Sequence, residues 1–110
     1  MTELTFYKDD LGNVRGFQSK GHSGYAEAGS DIVCSAISAL VINTVNSIEA
    51  FTGTGMDVEA DEEEGIIKVS FSDTPDHDAD LLLKSLILGI QSIKDDEETE
   101  QFVNLIFKEV

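Results

Sequence analysis

The stretch SDIVCSAISALVINTVNSIEAF, residues 30–51, decides the fold because its pattern predicts a long amphipathic helix. Ser30 or Asp31 can cap the N-terminus of this helix, and the glycines within residues 53–55 end it. Apolar side chains recur along it at helical spacing, namely Val33, Ile37, Leu40, Val41, Ile48 and Phe51. We therefore expect one face of this helix to be buried in the core.

The flanking sequence predicts two hairpins, a second helix and a closing strand. The second helix begins at Thr74-Pro75, with the proline at the first helical position, and runs to about Lys94. The predicted elements are strands 4–7, 14–19, 56–59, 66–71 and 102–110 and helices 30–51 and 74–94. Their order, ββ-α-ββ-α-β, predicts an α/β fold of the α+β type, a single domain over residues 1–110 in which a mixed sheet packs with two helices.

Composition limits the classes of function. The 110 residues include 22 acidic and 7 basic side chains, for a formal charge of −15. This charge repels nucleic acid and anionic lipid and attracts basic polypeptides, although the acidic residues 61–64 and 95–98 can equally be a solubilising surface. Short apolar runs and an N-terminus without a signal pattern predict neither a membrane span nor secretion. We therefore expect a cytoplasmic protein whose only cysteine, Cys34, stays reduced.

The cysteine and a histidine that precedes it are the candidate reactive groups. Cys34 lies near the predicted helix start and at the edge of the apolar stripe, where free backbone N–H groups favour a thiolate and substrate can reach it. His22 lies in a glycine-rich loop, residues 21–30, that can fold back and bring the imidazole to the thiol. Asp31 or Ser38 can orient the histidine, and the N–H groups around Cys34 can stabilise an oxyanion.

The residues alone leave a structural role open for each of these side chains. Free cysteines are among the most buried residues, and a loop histidine is more often a surface residue than a base. A redox or acyl-transfer thiol is a further alternative. Alkylation separates these roles, because a nucleophile reacts quickly well below about pH 8 whereas a core cysteine reacts slowly. His77, in the first turn of the second helix, is most simply an exposed residue.

The sequence predicts no metal site. One cysteine and two distant histidines do not make a zinc site. Asp76, Asp78 and Asp80 resemble the start of an EF-hand loop, but Leu81 stands where that loop requires glycine. These acids suit the positive N-terminal end of the second helix instead. The GxxG pattern of residues 21–24, without basic neighbours, is a weak signal for RNA.

Two segments carry a family resemblance: GHSGYA at residues 21–26 and DIVCSA at residues 31–36, with Gly29 between them and SAL at residues 38–40. They resemble the signature of the ribosomal-processing cysteine protease (Prp, YsxB-like) family of bacteria. The resemblance implies a homodimeric cysteine endopeptidase that needs no cofactor and removes the N-terminal extension of a large-subunit ribosomal protein, number twenty-seven. It also implies that His22 is the general base and Cys34 the nucleophile.

The resemblance extends to the loop and to the substrate. We expect Gly21, Ser23, Gly24 and Tyr25 to contact substrate and the loop to order when substrate binds. Ser23 and Ser35 stand where alanine is expected in many members, and both changes are small. A basic precursor would be attracted before ribosome assembly, when no RNA repels the enzyme. The competing class is a non-catalytic, acidic, dimeric binding module for a basic ribosomal protein.

Overall fold

The computed structural model describes residues 1–21 and 28–110, with the backbone alone for residues 28–31. The strands are β1 (Thr2–Lys8), β2 (Val14–Lys20), β3 (Met56–Asp61), β4 (Ile66–Phe71) and β5 (Val103–Glu109). The helices are α1 (Ala28–Phe51) and α2 (His77–Asp95), and a 3-10 turn (Glu100–Phe102) precedes β5. This order, ββ-α-ββ-α-β, confirms the α/β fold predicted from the sequence.

The five strands form one mixed sheet in the order β3-β4-β2-β1-β5. β1 pairs antiparallel with β2 and parallel with β5, while β4 pairs antiparallel with both β2 and β3. The registers place Phe6 opposite Phe17 and Phe107, and Phe17 opposite Val69. A row of apolar side chains therefore crosses one face of the sheet, as expected where cross-strand pairs stabilise it.

The core lies between this face of the sheet and the two helices. Its buried members are Leu4, Phe6, Val14, Phe17, Val33, Ile37, Val41, Ile48, Val69, Phe71, Ala79, Leu83, Leu86, Ile90 and Val103. The α1 stripe follows the predicted spacing except at Phe51, the last helical residue, which is 76% exposed. Periodicity gives the direction of a side chain around the helix axis but not where the packing beneath the helix stops.

Both helix starts differ from the predicted ones. α1 begins at Ala28, so Asp31 is its fourth residue rather than its cap, and Cys34 is its seventh. An acidic residue is favourable in the first turn as well as at the cap, and the sequence pattern therefore does not distinguish the two places. α2 begins at His77 rather than Pro75, because the Asp76 carboxylate caps it by accepting the Ala79 N–H at 2.8 Å.

α1 is notable for its apolar composition. Within the described part of the chain, residues 32–51 are the one helical segment long and apolar enough to cross a membrane by length and composition. The core helix of a globular domain passes the same test. Val33, Ile37, Val41 and Ile48 are each at most 2% exposed, and the core of this domain accounts for them.

Candidate active site

The structure describes part of the predicted site. Gly21, Cys34 and Ser38 are fully described, and Asp31 is described by its backbone. Four predicted residues lie outside the described residues: His22, Ser23, Gly24 and Tyr25. Their roles remain predictions.

Cys34 is a free, half-buried thiol on α1. Its neighbour Val33 is buried and its neighbour Ser35 is exposed, so Cys34 lies at the edge between the core-facing and outward faces of the helix. This is the position that helical periodicity predicts. A side chain there is reachable from solvent, unlike a cysteine that fills the core.

The helix start changes the expected electrostatics of this thiol. The unpaired N–H groups of a helix belong to its first four residues, here 28–31, and the dipole effect falls off within the first turn. Cys34 lies in the second turn, where its own N–H takes part in the helical hydrogen bonding. The predicted placement of Cys34 beside free N–H groups, and the predicted oxyanion role of its N–H, are therefore corrected. Of the two means of activation that the sequence predicts, the imidazole of His22 lies outside the described residues and stays a prediction.

The thiol packs directly against Gly21. A Cβ atom built on residue 21 would lie 2.7 Å from Cys34 Sγ, closer than non-bonded atoms approach. Glycine at this position therefore lets the end of β2 approach the sulfur. Gly21 immediately precedes His22 in the sequence. The sequence interpretation of Gly21 as a loop residue missed this contact with the thiol.

The β3–β4 turn holds Gly21 from the other side. The Gly21 N–H donates to the Gly65 carbonyl at 2.8 Å, which extends the β2–β4 ladder beyond the Lys20–Ile66 pair. Gly65 has φ +66°, and a Cβ atom on it would lie 3.0 Å from the Gly21 carbonyl oxygen. Sequence patterns place Gly65 only between the predicted strands 56–59 and 66–71. No local signal links it to Gly21, since the contact depends on the pairing of β2 with β4.

An apolar groove of about 380 Å³ begins one helical turn beyond Cys34, at Ser38. α1 forms one wall and the β3–β4 hairpin forms the other. Aliphatic side chains line most of it, namely Val41, Ile42, Val45, Val58, Ile66 and Ile67. Asp61 and Glu62, both exposed, form an acidic rim. A concave apolar site with a few polar groups is the usual form of a ligand-binding pocket. Sequence patterns missed the groove because its walls come from two separate segments.

The remaining candidate groups lie elsewhere. The His77 side chain is 91% exposed and its Nδ1 lies 3.3 Å from Asp78 Oδ1, which confirms the predicted surface role. In the parts of the chain that the structure describes, no group of three or more His, Cys, Asp or Glu side chains is placed to hold a metal ion.

Comparison with known proteins identifies the family. The sequence profile of the cysteine protease Prp family matches residues 1–103. The chain belongs to this family. It is 31% identical over 100 residues to the ribosomal processing cysteine protease Prp of Staphylococcus aureus strain Mu50, covering 91% of this chain and 92% of that protein. Membership of the Prp family makes the chain a cysteine protease, and the non-catalytic binding module is set aside.

Solved structures of Prp agree with the fold. The crystal structure of an essential ribosomal processing protease Prp from S. aureus in complex with a substrate peptide matches with a TM-score of 0.90 and 29% identity. The S. aureus Prp in complex with a covalently linked product peptide matches with a TM-score of 0.85 and 30% identity. Each match covers 98% of this chain and 100% of the other.

Proposed function

We propose that this protease uses Cys34 as nucleophile and His22 as general base to remove the N-terminal extension of a large-subunit ribosomal protein, number twenty-seven. One observation carries the proposal. A member of a cysteine protease family has a single cysteine, and its thiol packs against Gly21, the residue directly before His22. The S. aureus relative, a ribosomal processing protease, supports the class of substrate.

The reaction follows the general course of thiol catalysis. His22 accepts the proton of the Cys34 thiol, and the thiolate attacks the scissile carbonyl carbon to form a C–S bond and an oxyanion. Collapse of the oxyanion breaks the C–N bond, and the imidazolium returns the proton to the leaving amine. Water then hydrolyses the thioester. Because the Cys34 N–H lies inside α1, we assign the oxyanion donors to other groups of the site.

Two further residues share a helical face with the nucleophile. Asp31 and Ser38 lie three residues before and four residues after Cys34, and residues at these spacings are neighbours on a helix. Since Asp31 does not cap α1, we propose that it orients His22. Ser38 lines the start of the groove, and we propose that it contacts substrate there.

We propose that the substrate segment next to the scissile bond lies in the apolar groove. Ser38 joins the groove to the nucleophile, and the acidic rim at Asp61 and Glu62 favours basic side chains near the bound segment. The charge of −15 attracts a free basic precursor and repels assembled ribosomal RNA. Processing would then precede or accompany ribosome assembly.

We also propose that the enzyme acts in the cytoplasm as a homodimer. The single cysteine suits a reducing compartment. Exposed apolar side chains on both helices, among them Ile32, Leu81 and Leu88, support burial against a second copy. Sedimentation equilibrium tests the dimer, and a monomer at micromolar concentration would contradict it.

The decisive experiment incubates the protein with an N-terminally extended precursor of the ribosomal protein and reads the products by mass spectrometry. We expect a single cleavage by the wild type and none by Cys34→Ala, which should stay folded because the replaced side chain is small and half-buried. His22→Ala should also be inactive, whereas His77→Ala, a matched control at an exposed histidine, should retain activity. Cleavage by Cys34→Ala, or equal activity of the two histidine variants, would contradict the proposal.

A further inference from the structure

Two glycines in the described part of the chain have positive φ, and each lies in a hairpin turn. Gly12, in the β1–β2 turn, has φ +82° and no atom within 4 Å of a Cβ built on it. Gly65, in the β3–β4 turn, has φ +66°, and a Cβ built on it would crowd the Gly21 carbonyl. Both turns therefore require a residue with positive φ, but only the β3–β4 turn contacts the candidate site.

The contacts of Gly65 continue to the nucleophile through one residue. The Gly65 carbonyl accepts the Gly21 N–H, and its bare Cα leaves room for the Gly21 carbonyl oxygen. Gly21 in turn fills the space in front of Cys34 Sγ, where even a methyl group would not fit. A displacement of Gly21 away from Gly65 therefore changes its contact with the thiol.

The carbonyl of Gly21 also belongs to the peptide that precedes the general base. The C and O atoms of Gly21 share one planar unit with the backbone nitrogen of His22. A Cβ atom on residue 65 would lie 3.0 Å from this oxygen and 3.4 Å from its carbon, so the Gly21 carbonyl would have to shift by a few tenths of an ångström. General-base catalysis needs the base within hydrogen-bond reach of the proton that it removes.

We propose that Gly65 is a positioning residue of the reaction, whose bare backbone holds the Gly21 backbone against the Cys34 thiol. The inference rests on the proposed roles of His22 and Cys34. On this proposal the β3–β4 turn has two roles: it borders the groove, and it sets the geometry of the reactive pair. The Glu64 N–H donates to Asp61 Oδ1 at 3.2 Å and helps to hold the turn in this shape.

The test compares Gly65→Ala with Gly12→Ala, its matched control. Both variants place a Cβ on a left-handed residue, so both should lose Tm, and Gly65→Ala should lose more because its Cβ also meets the Gly21 carbonyl oxygen. We expect Gly65→Ala to lower kcat by about tenfold with KM within about twofold, since small misplacements of reacting groups are costly. It should also slow alkylation of Cys34 near about pH 6, towards the rate of His22→Ala. Gly12→Ala should leave both quantities within about twofold of wild type.

Gly65→Asn separates the effect of the Cβ contact with the Gly21 carbonyl from the effect of backbone strain at residue 65. Asparagine tolerates positive φ but still adds a Cβ, so it should recover the part of the Tm loss that comes from backbone strain without recovering kcat. It also keeps the test valid if Gly65→Ala does not fold. A kcat equal to that of Gly12→Ala, an unchanged alkylation profile, or full rescue by asparagine would overturn the inference. Equal inactivity of wild type and Cys34→Ala would contradict the proposed function. Any of the three outcomes above, found while the wild type cleaves, would overturn the inference alone.

Discussion

The two hairpins of this fold have similar turns but lie in different surroundings. In the β1–β2 turn, Asp9 Oδ1 accepts the N–H groups of Leu11 and Asn13 at 3.0 and 2.9 Å. In the β3–β4 turn, Asp61 Oδ1 accepts the N–H of Glu64 at 3.2 Å. Aspartate is common at such turns because its carboxylate bonds to the backbone just ahead of it. Local chemistry therefore makes the two turns alike.

Their positions in the sheet make them different. β1 and β2 are central strands whose apolar side chains are buried under the helices, whereas β3 is an edge strand and its residues from Asp57 to Asp61 are exposed. Both strands of the first hairpin therefore contribute to the core. The second hairpin reaches the core only through β4, with Val69 and Phe71, while β3 and the turn border the groove and the turn contacts Gly21. The same local turn is therefore structural or functional according to the elements that the sheet places beside it.

The largest expected effect tests the difference in burial between the two hairpins and compares one side chain from each. Phe17 is 1% exposed and its ring stacks on Phe6 with centroids 5.4 Å apart, whereas Val58 is 45% exposed. We expect Phe17→Ala to lose about 3–5 kcal/mol of the free energy of unfolding in urea, and Phe17→Leu to serve if the alanine variant does not fold. Val58→Ala should lose less than about 1 kcal/mol. Equal losses would mean that the edge hairpin is as much a part of the core as the central one.

A smaller effect is expected from the charges of the two turns. Glu62 is exposed on the groove rim, and Asp10 is exposed in the β1–β2 turn. Glu62→Gln should raise KM for a basic precursor by about two- to threefold at low salt, as expected for one exposed ion pair. Asp10→Asn, which removes the same charge, should leave KM unchanged. Steady-state kinetics at low ionic strength and at about 0.5 M salt check this, because screening should remove the difference. A difference that persists at high salt would contradict the electrostatic explanation.

Sequence patterns could predict the elements but not the contacts between distant ones. Alternation and helical spacing depend on neighbouring residues, and they gave the strands, both helices and the edge position of Cys34. The start of α1 was missed because capping and first-turn residues look alike. The contact of Gly65 with Gly21, and the groove beside it, need the β2–β4 pairing, which follows from the packing of the whole sheet.

The smallest predicted effect concerns Asp76, which links the segment after α1 to the first turn of α2. Its carboxylate accepts the N–H of Ala79 at 2.8 Å and that of Gly53, just beyond α1, at 3.1 Å. The hydrogen bond from the Ala79 N–H is the largest cause that lowers the pKa of Asp76 below its ordinary value. Desolvation opposes it, and the remaining hydrogen bonds act in the same direction as that of Ala79. A carboxyl with a lowered folded-state pKa stabilises the fold above its unfolded-state pKa and loses this contribution as the pH falls through the folded-state value.

Asp76→Asn keeps one oxygen to accept the Ala79 N–H, because asparagine caps helices about as well as aspartate, but it replaces the oxygen that accepts the Gly53 N–H. The variant therefore removes the charge and the bond to Gly53 together and leaves the cap. At pH 7 we expect a lower Tm than that of wild type, and we expect the difference to shrink as the pH falls below the ordinary aspartate pKa of about 3.9 and Asp76 becomes neutral in the wild-type protein. Other carboxyls titrate in the same range, so the informative quantity is the difference in Tm between the two proteins at each pH. Cleavage at pH 7 and a temperature well below both Tm values should be unchanged, since Asp76 contacts neither hairpin turn. A difference in Tm that stays constant with pH would show that the carboxylate charge contributes nothing at this junction.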